Sequence, residues 1–216
     1  MREVILVRHG HAASNAEQTV SSAPPGAELS EQGIEEAFAL REALAYDQID
    51  LAVSSRLART QQTLSVALGE RPVPRTVMAT LDEIHFGEFD GGPLVDYRIW
   101  AWTHAADEEC PGGGESRAAA AHRFASALDE LLTRVEERIL VVSHALPIRY
   151  VIDASDGMFP ASRIEHVEHA IPVVLTSDAI ARAAVTLREW ALAPRFVDWP
   201  DGVAPELEPG DLDRRA

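Results

Sequence analysis

Two histidines in this sequence closely follow short aliphatic runs and stand near groups that bind anions. Arg8 and His9 follow the run at residues 4–7, and His144 closely follows the run at residues 139–142. A neutral imidazole accepts a phosphoryl group when one nitrogen faces the phosphorus and the other is held as a donor. Arginine presents a rigid fork of donors that matches phosphate oxygens. Together these residue types indicate phosphoryl transfer.

A second arginine and a pair of carboxylic acids supply the other groups that such a transfer requires. Arg59 comes shortly after a third aliphatic run, residues 51–53. Like Arg8, it can compensate charge on the equatorial oxygens of a phosphoryl group. The leaving oxygen needs a proton, for which Glu83 is the favoured donor and Asp82 a less favoured substitute.

Two residues shortly after His9 are expected to contact the same anion. Gly10 has no Cβ, so an oxyanion can approach its backbone closely. The side-chain amide of Asn15 offers a further hydrogen-bond donor. We therefore predict that both residues bind phosphate.

The three aliphatic runs predict buried parallel strands, each followed by a polar cluster and then by helix-like sequence. Strands that alternate with helices predict an α/β fold, in which a mainly parallel sheet lies between two helical layers. Ligands bind beyond the carboxyl ends of such strands, so the histidines and arginines are expected at one edge. The predicted helices span residues 30–44, 57–68 and 115–135.

Outside these elements the pattern is weaker. Residues 87–114 are rich in glycine and proline and predict an irregular segment, either a lid or a surface insertion, with the lid preferred. Residues 173–175 and 184–187 predict edge strands. The composition of residues 200–216 predicts a flexible tail. The remainder, residues 1–199, is expected to form one domain.

Six short motifs, in order over roughly residues 2–155, resemble those of the histidine phosphatase superfamily, also called the phosphoglycerate mutase-like family. Each motif alone is weak, but six in the family's order are specific. The motifs are Arg8-His9-Gly10 with Asn15, the helix start at 29–33, the segment 54–63 with Arg59, the stretch 81–91 with Glu83, the turn at 113–116, and residues 141–144 ending in His144.

The resemblance implies a mechanism without metal or cofactor. His9 attacks phosphorus in line and becomes a phosphohistidine, while Glu83 protonates the leaving oxygen and then activates water. The phosphoryl oxygens are held by Arg8, Arg59 and His144. The choice of Glu83 over its neighbour rests mainly on this resemblance.

The chain departs from the family's pattern close to these motifs. His11, Ala12 and Ser14 replace the acidic residue, Thr and Trp that commonly follow the Arg-His-Gly motif. Phe89 stands at a common tryptophan position. Ala145 replaces the glycine after the second histidine, and its backbone N–H is still expected to donate to phosphate. These departures bear on the substrate more than on the chemistry.

Composition narrows the class of partner. The formal net charge is −16, and all 19 basic residues are arginine, since the chain contains no lysine. Such a charge argues against nucleic acid, anionic membranes and other polyanions as partners, so we expect a small phosphorylated substrate. The single Cys110 and the lack of a leader or long apolar run predict a cytoplasmic protein. Oligomeric state stays open.

The favoured function is hydrolysis of a phosphate monoester of a small metabolite. A phosphoglycerate-type mutase is the alternative, although a mutase favours a more richly basic, closed site. A metal hydrolase built on His9, His11 and His144 is less favoured because the neighbouring arginines would repel a cation. A non-catalytic phosphate-binding module is the remaining alternative.

Several aromatic residues have two interpretations each. His11 is expected either to line the pocket mouth or to be solvated. His166 and His169 would share one face of a helix, which suggests a metal site, but surface or packing roles are favoured. Trp100 and Trp102 either cap a substrate or, as we favour, pack the 87–114 segment onto the body.

Overall fold

A five-stranded sheet is the centre of the fold in the computed structural model, which describes residues 1–199 and 203–204. Its strands are β1 (Glu3–Arg8), β2 (Leu51–Ser54), β3 (Arg75–Val77), β4 (Arg138–Ser143) and β5 (Pro172–Thr176). Their order across the sheet is β3-β2-β4-β1-β5. All neighbouring pairs are parallel except β1 and β5, which are antiparallel.

Helices cover both faces of this sheet. They are α1 (Ala13–Ala16), α2 (Glu31–Ala43), α3 (Ala58–Leu68), α4 (Leu94–Thr103), α5 (Arg117–Leu132), α6 (Ala145–Ser155) and α7 (Ser177–Leu192). Successive residues of a strand point to opposite faces, so the aliphatic β1 contributes to two cores. Val4 and Leu6 pack on the side of α5, α6 and α7, whereas Ile5 and Val7 pack on the side of α2 and α3. The predicted three-layer α/β/α class is confirmed.

The predicted strands and helices of the first 150 residues are present, with helix ends shifted by at most three residues. Serine side chains begin two of these helices. Ser30 accepts a hydrogen bond from the N–H of Gly33, and Ser116 accepts one from Ala119, which satisfies donors that the first turn leaves unpaired. Within the described residues, no helix has the length and apolar character that a bilayer span requires.

Two predictions about individual segments need correction. The 87–114 segment is not irregular throughout, since it contains α4, whose Tyr97 and Trp100 are buried against Phe86 and Phe89. Residues 184–187 are not an edge strand but part of α7. Thr176 caps that helix, and Leu187 is buried on its inner face.

The remaining predictions concern residues 173–175, the two tryptophans and the tail at residues 200–216. Residues 173–175 lie in β5, at one edge of the sheet, as predicted. Trp100 is buried in the core beside α5, and Trp102 lies under the guanidinium of Arg163 at 5.1 Å. The predicted tail, residues 200–216, lies outside the described residues except for 203–204.

Candidate active site

The carboxyl ends of β1 and β4 bring the two predicted histidines together. These strands pair in register up to Arg8 and Ser143, and the N–H of His9 continues the ladder by donating to the carbonyl oxygen of Ser143 at 3.0 Å. His9 and His144 are both buried, and their ring centroids lie 5.2 Å apart with the rings edge to face. Parallel pairing of two aliphatic strands is therefore the feature that places the imidazoles side by side.

His9 is held in one tautomer by its own loop. Its Nδ1 lies 2.7 Å from the carbonyl oxygen of Gly10, and because a carbonyl only accepts, Nδ1 carries the proton. Nε2 is then unprotonated and accepts a hydrogen bond from Arg59 Nε at 3.1 Å. Burial, and after it the charge of Arg59, lowers the pKa of His9 well below its ordinary value. The imidazole is thus neutral, with Nε2 in the state that nucleophilic attack requires.

A hydrogen-bond chain holds His144 in the opposite tautomer, with the proton on Nε2. Its Nδ1 faces Arg59 Nη2 at 3.2 Å, and since arginine only donates, the proton of this ring is on Nε2. Nε2 donates to Ser55 Oγ at 2.8 Å, and Ser55 Oγ lies 2.9 Å from Thr60 Oγ1. Burial and the nearby Arg59 lower the pKa of His144 well below its usual range. Both histidines of the pair are therefore neutral.

Two buried arginines stand beside these rings without a carboxylate partner. Arg8 and Arg59 are only 8% and 3% exposed, and within the described residues neither forms an ion pair. Arg8 Nη1 donates to the carbonyl oxygen of Val167 at 2.6 Å, and Arg59 Nη2 donates to that of Ser21 at 2.9 Å. Arg8 Nε and Arg59 Nη1 are buried with no hydrogen-bond partner. Burial lowers the pKa of each arginine to about 10.

Such an arrangement is suited to a doubly charged anion. A buried cation without a partner is costly, and a bound phosphoryl group would supply both the missing charge and acceptors for the unpaired donors. The N-terminus of α6 adds to the same potential, because the helix begins at Ala145 directly after His144. We name these four side chains the phosphate cradle: Arg8, His9, Arg59 and His144.

The two candidate acids have very different surroundings. Asp82 is fully buried and engaged by Arg56, whose backbone N–H donates to Oδ1 at 2.8 Å and whose Nε donates to Oδ2 at 2.7 Å. Glu83 is partly buried, and its Oε1 accepts one hydrogen bond from the N–H of Ile84 at 3.0 Å. Burial raises the pKa of Glu83 despite the opposing charge of Arg59. Glu83 is therefore the carboxyl suited to carry a proton, and Asp82 serves as an anchor.

Arg123 holds the backbone that carries Glu83. Its Nη1 donates to the carbonyl oxygens of Thr80 and Asp82 at 3.0 and 2.9 Å, and its Nη2 donates to that of Glu83 at 3.2 Å. Glu115 binds the same guanidinium in a bidentate pair at 2.8 and 2.6 Å. We name the pairs Arg123–Glu115 and Arg56–Asp82 the acid-loop clamp.

The clamp also connects the acid loop to residues 110–115. Glu115 Oε2 accepts from the N–H of His85 at 3.1 Å, and the N–H of Glu88 donates to the carbonyl oxygen of Pro111 at 2.8 Å. Gly87 is needed at this contact, because its φ is +58° and a Cβ there would lie 2.0 Å from the oxygen of Pro111. The 113–116 motif thus supports the loop that carries Glu83.

Gly10 and Asn15, two of the residues predicted to add phosphate contacts, have other partners in the structure. The space that we expected Gly10 to leave for an oxyanion is filled by backbone, since a Cβ there would lie 2.5 Å from the carbonyl oxygen of Gly33. The N–H of Gly10 donates to Thr63 Oγ1 at 2.9 Å. The Oδ1 of Asn15 accepts from the N–H of Ala12 at 2.9 Å, at the start of α1.

Sequence reasoning missed several residues that contact this site. Thr63 lies within a recognised motif, yet its type alone did not distinguish it from an ordinary helix residue. Arg123 lies on a helix face, where arginine is usually solvated. His169 Nδ1 lies 2.7 Å from the carbonyl oxygen of His9, 160 positions away in sequence, so no local spacing could reveal the contact.

Of the other histidines that the sequence singled out, His11 and His169 are in ring contact and His166 lies at the surface. His11 is partly buried at the edge of the cradle, with Nδ1 at 2.8 Å from Ser30 Oγ and its ring centroid 5.5 Å from that of His169. His166 is exposed, and the segment 166–169 is not helical. Among the described residues, no group of three or more His, Cys, Asp or Glu side chains is arranged to hold a metal ion.

Comparison with known proteins identifies the family. The model of the histidine phosphatase superfamily, branch 1, matches residues 4–190, which include every residue of the cradle and the acid-loop clamp. The chain belongs to this superfamily.

Its relatives include both phosphatases and mutases. An adenosylcobalamin/α-ribazole phosphatase of Escherichia coli strain K12 is 30% identical over 176 residues, or 74% of this chain and 82% of that protein. A 2,3-bisphosphoglycerate-dependent phosphoglycerate mutase of Brucella ovis is 29% identical over 199 residues, or 85% and 96%. The solved α-ribazole phosphatase of Shigella flexneri has a TM-score of 0.70 at 26% identity, covering 80% of this chain and 89% of that one.

Proposed function

We propose that this protein is a metal-independent phosphatase that hydrolyses phosphate monoesters of small metabolites through a phosphohistidine on His9. The observation that carries the proposal is the neutral His9, whose unprotonated Nε2 faces Arg59, in a site where Arg8 and Arg59 are buried with unpaired donors. A phosphate monoester dianion supplies the charge and the acceptors that Arg8 and Arg59 lack. The same four cradle residues match the motifs of the superfamily.

In the first step, His9 Nε2 forms a bond to phosphorus while the bond from phosphorus to the leaving oxygen breaks. Glu83, whose raised pKa favours its protonated form, transfers a proton to that oxygen and becomes a carboxylate. The carbonyl oxygen of Gly10 keeps its hydrogen bond to Nδ1 and so stabilises the phosphorylated imidazole. Arg8 and Arg59 donate to the equatorial oxygens. His144 adds a donor once its Nδ1 is also protonated, which the charge of the bound dianion favours.

In the second step, water attacks the phosphohistidine and gives its proton to the Glu83 carboxylate. The bond between phosphorus and Nε2 breaks, phosphate leaves, and both His9 and Glu83 return to their starting protonation states. Arg123 and its bound carbonyl groups keep Glu83 in place through both steps. Water is the co-reactant, and the cycle needs no metal.

The charges around the cradle favour hydrolysis over transfer between two phosphates. A mutase has to hold a doubly phosphorylated intermediate, which calls for cations beyond those of one phosphate site. The chain has no lysine, and the neighbouring Arg56 and Arg123 are already engaged by Asp82 and Glu115. The net charge of −16 also disfavours nucleic acid and anionic membranes as substrates or partners. Phosphoglycerate isomerisation is the second candidate function, because one of the similar proteins is a phosphoglycerate mutase.

The test uses a generic aryl phosphate, a panel of phosphorylated metabolites, and three proteins: wild type, His9→Ala and His166→Ala. His166 is exposed, so its variant is the matched control. We expect wild type and His166→Ala to release phosphate equally in excess chelator, and His9→Ala to be slower by about 10³-fold or more. Label from a ³²P-labelled aryl phosphate, quenched in alkaline denaturant because the P–N bond of phosphohistidine is acid-labile, should remain on wild type and His166→Ala but not on His9→Ala.

Three outcomes would count against this proposal. Normal turnover by His9→Ala would show that His9 is not the nucleophile. Loss of activity in chelator that returns with a divalent metal would show that the reaction depends on metal. Isomerisation of 3-phosphoglycerate that is faster than release of phosphate assigns the protein to the mutases instead.

A further inference from the structure

One segment outside the recognised motifs contacts the backbone of the catalytic histidine. Residues 167–170 run beside the end of β1 and make three hydrogen bonds to it. Val167 O accepts from the Arg8 side chain at 2.6 Å, and the N–H of Ala170 donates to Arg8 O at 2.9 Å. His169 Nδ1 donates to His9 O at 2.7 Å. The last of these is the only one that depends on the identity of a side chain in the segment.

The contact acts on the peptide unit that joins His9 to Gly10. In this unit the carbonyl oxygen is bound by His169, and the N–H is bound by Thr63 Oγ1 at 2.9 Å. The next peptide unit carries Gly10 O, which is the acceptor for His9 Nδ1, and its N–H donates to Glu36 Oε2 at 2.7 Å. Rotation of the first unit would therefore move the acceptor that fixes the tautomer of His9.

The His169 ring is itself restrained from two sides. Its centroid lies 5.5 Å from that of His9 and 5.5 Å from that of His11, and His11 is in turn oriented by Ser30 Oγ. Because a carbonyl only accepts, the Nδ1 of His169 carries the proton and its Nε2 does not. Burial and the charge of Arg8 lower the pKa of His169 to about 4, so the ring is neutral near pH 7.

We propose that His169 is a positioning residue for the phosphoryl-transfer step, because it fixes the His9–Gly10 peptide and so keeps the Nε2 of His9 aligned on phosphorus. The inference rests on the proposed function of His9 as nucleophile. His169 acts through His9, and its effect is therefore on the attack itself more than on the binding of phosphate. In-line attack is sensitive to small displacements of the nucleophile.

Amide variants separate this role from simple packing. The side-chain N–H₂ of asparagine can occupy the place of Nδ1, whereas that of glutamine reaches to the place of Nε2. His169→Asn should therefore restore the bond to the His9 carbonyl, and His169→Gln and His169→Ala should not. His166→Asn is the matched control, because His166 is exposed on the same stretch of chain.

The kinetic readout compares turnover with two inhibitors. Vanadate adopts the five-coordinate geometry of the transferring phosphoryl group and bonds to the attacking nitrogen, whereas inorganic phosphate needs only the anion site. For His169→Ala and His169→Gln we expect kcat on an aryl phosphate to fall by about 30- to 100-fold with KM nearly unchanged. Vanadate inhibition should weaken by a similar factor, and phosphate inhibition should change little. His169→Asn should recover most of both losses.

A spectroscopic readout is independent of turnover. In ¹⁵N-histidine NMR spectra, wild type and His169→Asn should show His9 with Nδ1 protonated and Nε2 unprotonated. His169→Ala should show a mixture of tautomers. This result is expected whether or not the protein is a phosphatase, so failure of the proposed function, seen as an inactive wild type, is distinguishable from failure of this inference.

Several results would overturn the role of His169. One is a His169→Ala variant whose kcat and His9 tautomer match those of His166→Asn. Another is equal recovery by asparagine and glutamine, and a third is a parallel weakening of vanadate, phosphate and KM, which would indicate general damage to the pocket. Melting temperatures of all variants show whether a loss comes from unfolding.

Discussion

The phosphate cradle and the acid-loop clamp use arginine in opposite ways. In the cradle, Arg8 and Arg59 are almost fully buried, lack a carboxylate partner and retain unpaired donors. In the clamp, Arg123 is less buried, and its guanidinium donates to the carboxylate of Glu115 and to three backbone carbonyl oxygens. We propose that the incomplete set marks where a ligand binds and that the complete set marks a scaffold.

Energetics explain why both arrangements occur in one molecule. Taking a cation out of water without a counter-charge is costly, as the lowered pKa of Arg8 and of Arg59 indicates. That cost is offset only when an anion arrives. A complete pair such as Arg123–Glu115 needs no bound anion, and we expect it to order the loop that carries Glu83 both with and without substrate. The cradle should therefore lower stability to serve function, whereas the clamp should serve both.

Arg59→Met should have the largest effect and break the cradle. It removes a donor to the phosphoryl oxygens and the contact with His9 Nε2, so kcat/KM on an aryl phosphate should fall by about 10³-fold. The ligand-free protein should become more stable by about 1 kcal/mol, because a buried unpaired charge is replaced by an apolar chain. Urea unfolding and steady-state kinetics measure the two effects. The exposed Arg75→Met is the control, and a marked loss of stability in Arg59→Met would contradict the comparison.

Arg123→Met should have a smaller effect on activity and the opposite effect on stability. The variant frees the carbonyl groups around Glu83 and leaves Glu115 without its partner, which should cost about 2 kcal/mol of the free energy of unfolding. Loss of a well-placed acid should lower kcat by about 10- to 30-fold, more for alkyl than for aryl leaving groups. Glu115→Gln keeps part of the clamp and should fall between wild type and Arg123→Met. If Arg123→Met kept full stability, the clamp would not be a scaffold.

The smallest effect that we expect is a dependence of the free energy of unfolding on pH, caused by the neutral histidines of the cradle. Burial keeps the folded-state pKa of His9 and of His144 below the ordinary value, so below about pH 6.5 the unfolded chain takes up protons first. Their contribution to stability is complete above that pH and declines as pH falls, by at most about 1.4 kcal/mol per pH unit for each histidine. Urea titrations at pH 7.5 and 5.5 should show a smaller decline for a His9→Gln/His144→Gln double variant than for wild type. An equal decline in both proteins would mean that the rings are already protonated in the fold.

The sequence alone was sufficient for the fold class and for the phosphate cradle. Aliphatic runs that precede polar clusters are local signals, and parallel strands bring the residues after their carboxyl ends to one edge of the sheet. Arg8, His9, Arg59 and His144 could be named for that reason. Of the two misread regions, α4 lacks a clear helical period, whereas residues 184–187 contain the β-branched Val185 and Thr186, which favour a strand locally. Burial of Tyr97, Trp100 and Leu187 accompanies their helical state in the tertiary structure.

The tertiary structure alone decided which groups surround the cradle and in what protonation state. Asp82 and Glu83 are adjacent and similar in type, and only the position of Arg56 makes one an anchor and leaves the other with a raised pKa. Gly10 is needed for its packing on Gly33, which no composition reveals. His169 reaches His9 across 160 positions of chain. Local sequence thus determined the chemical groups of this site, and long-range packing determined their charge, tautomer and alignment, because those properties depend on neighbours that the chain brings in from far away.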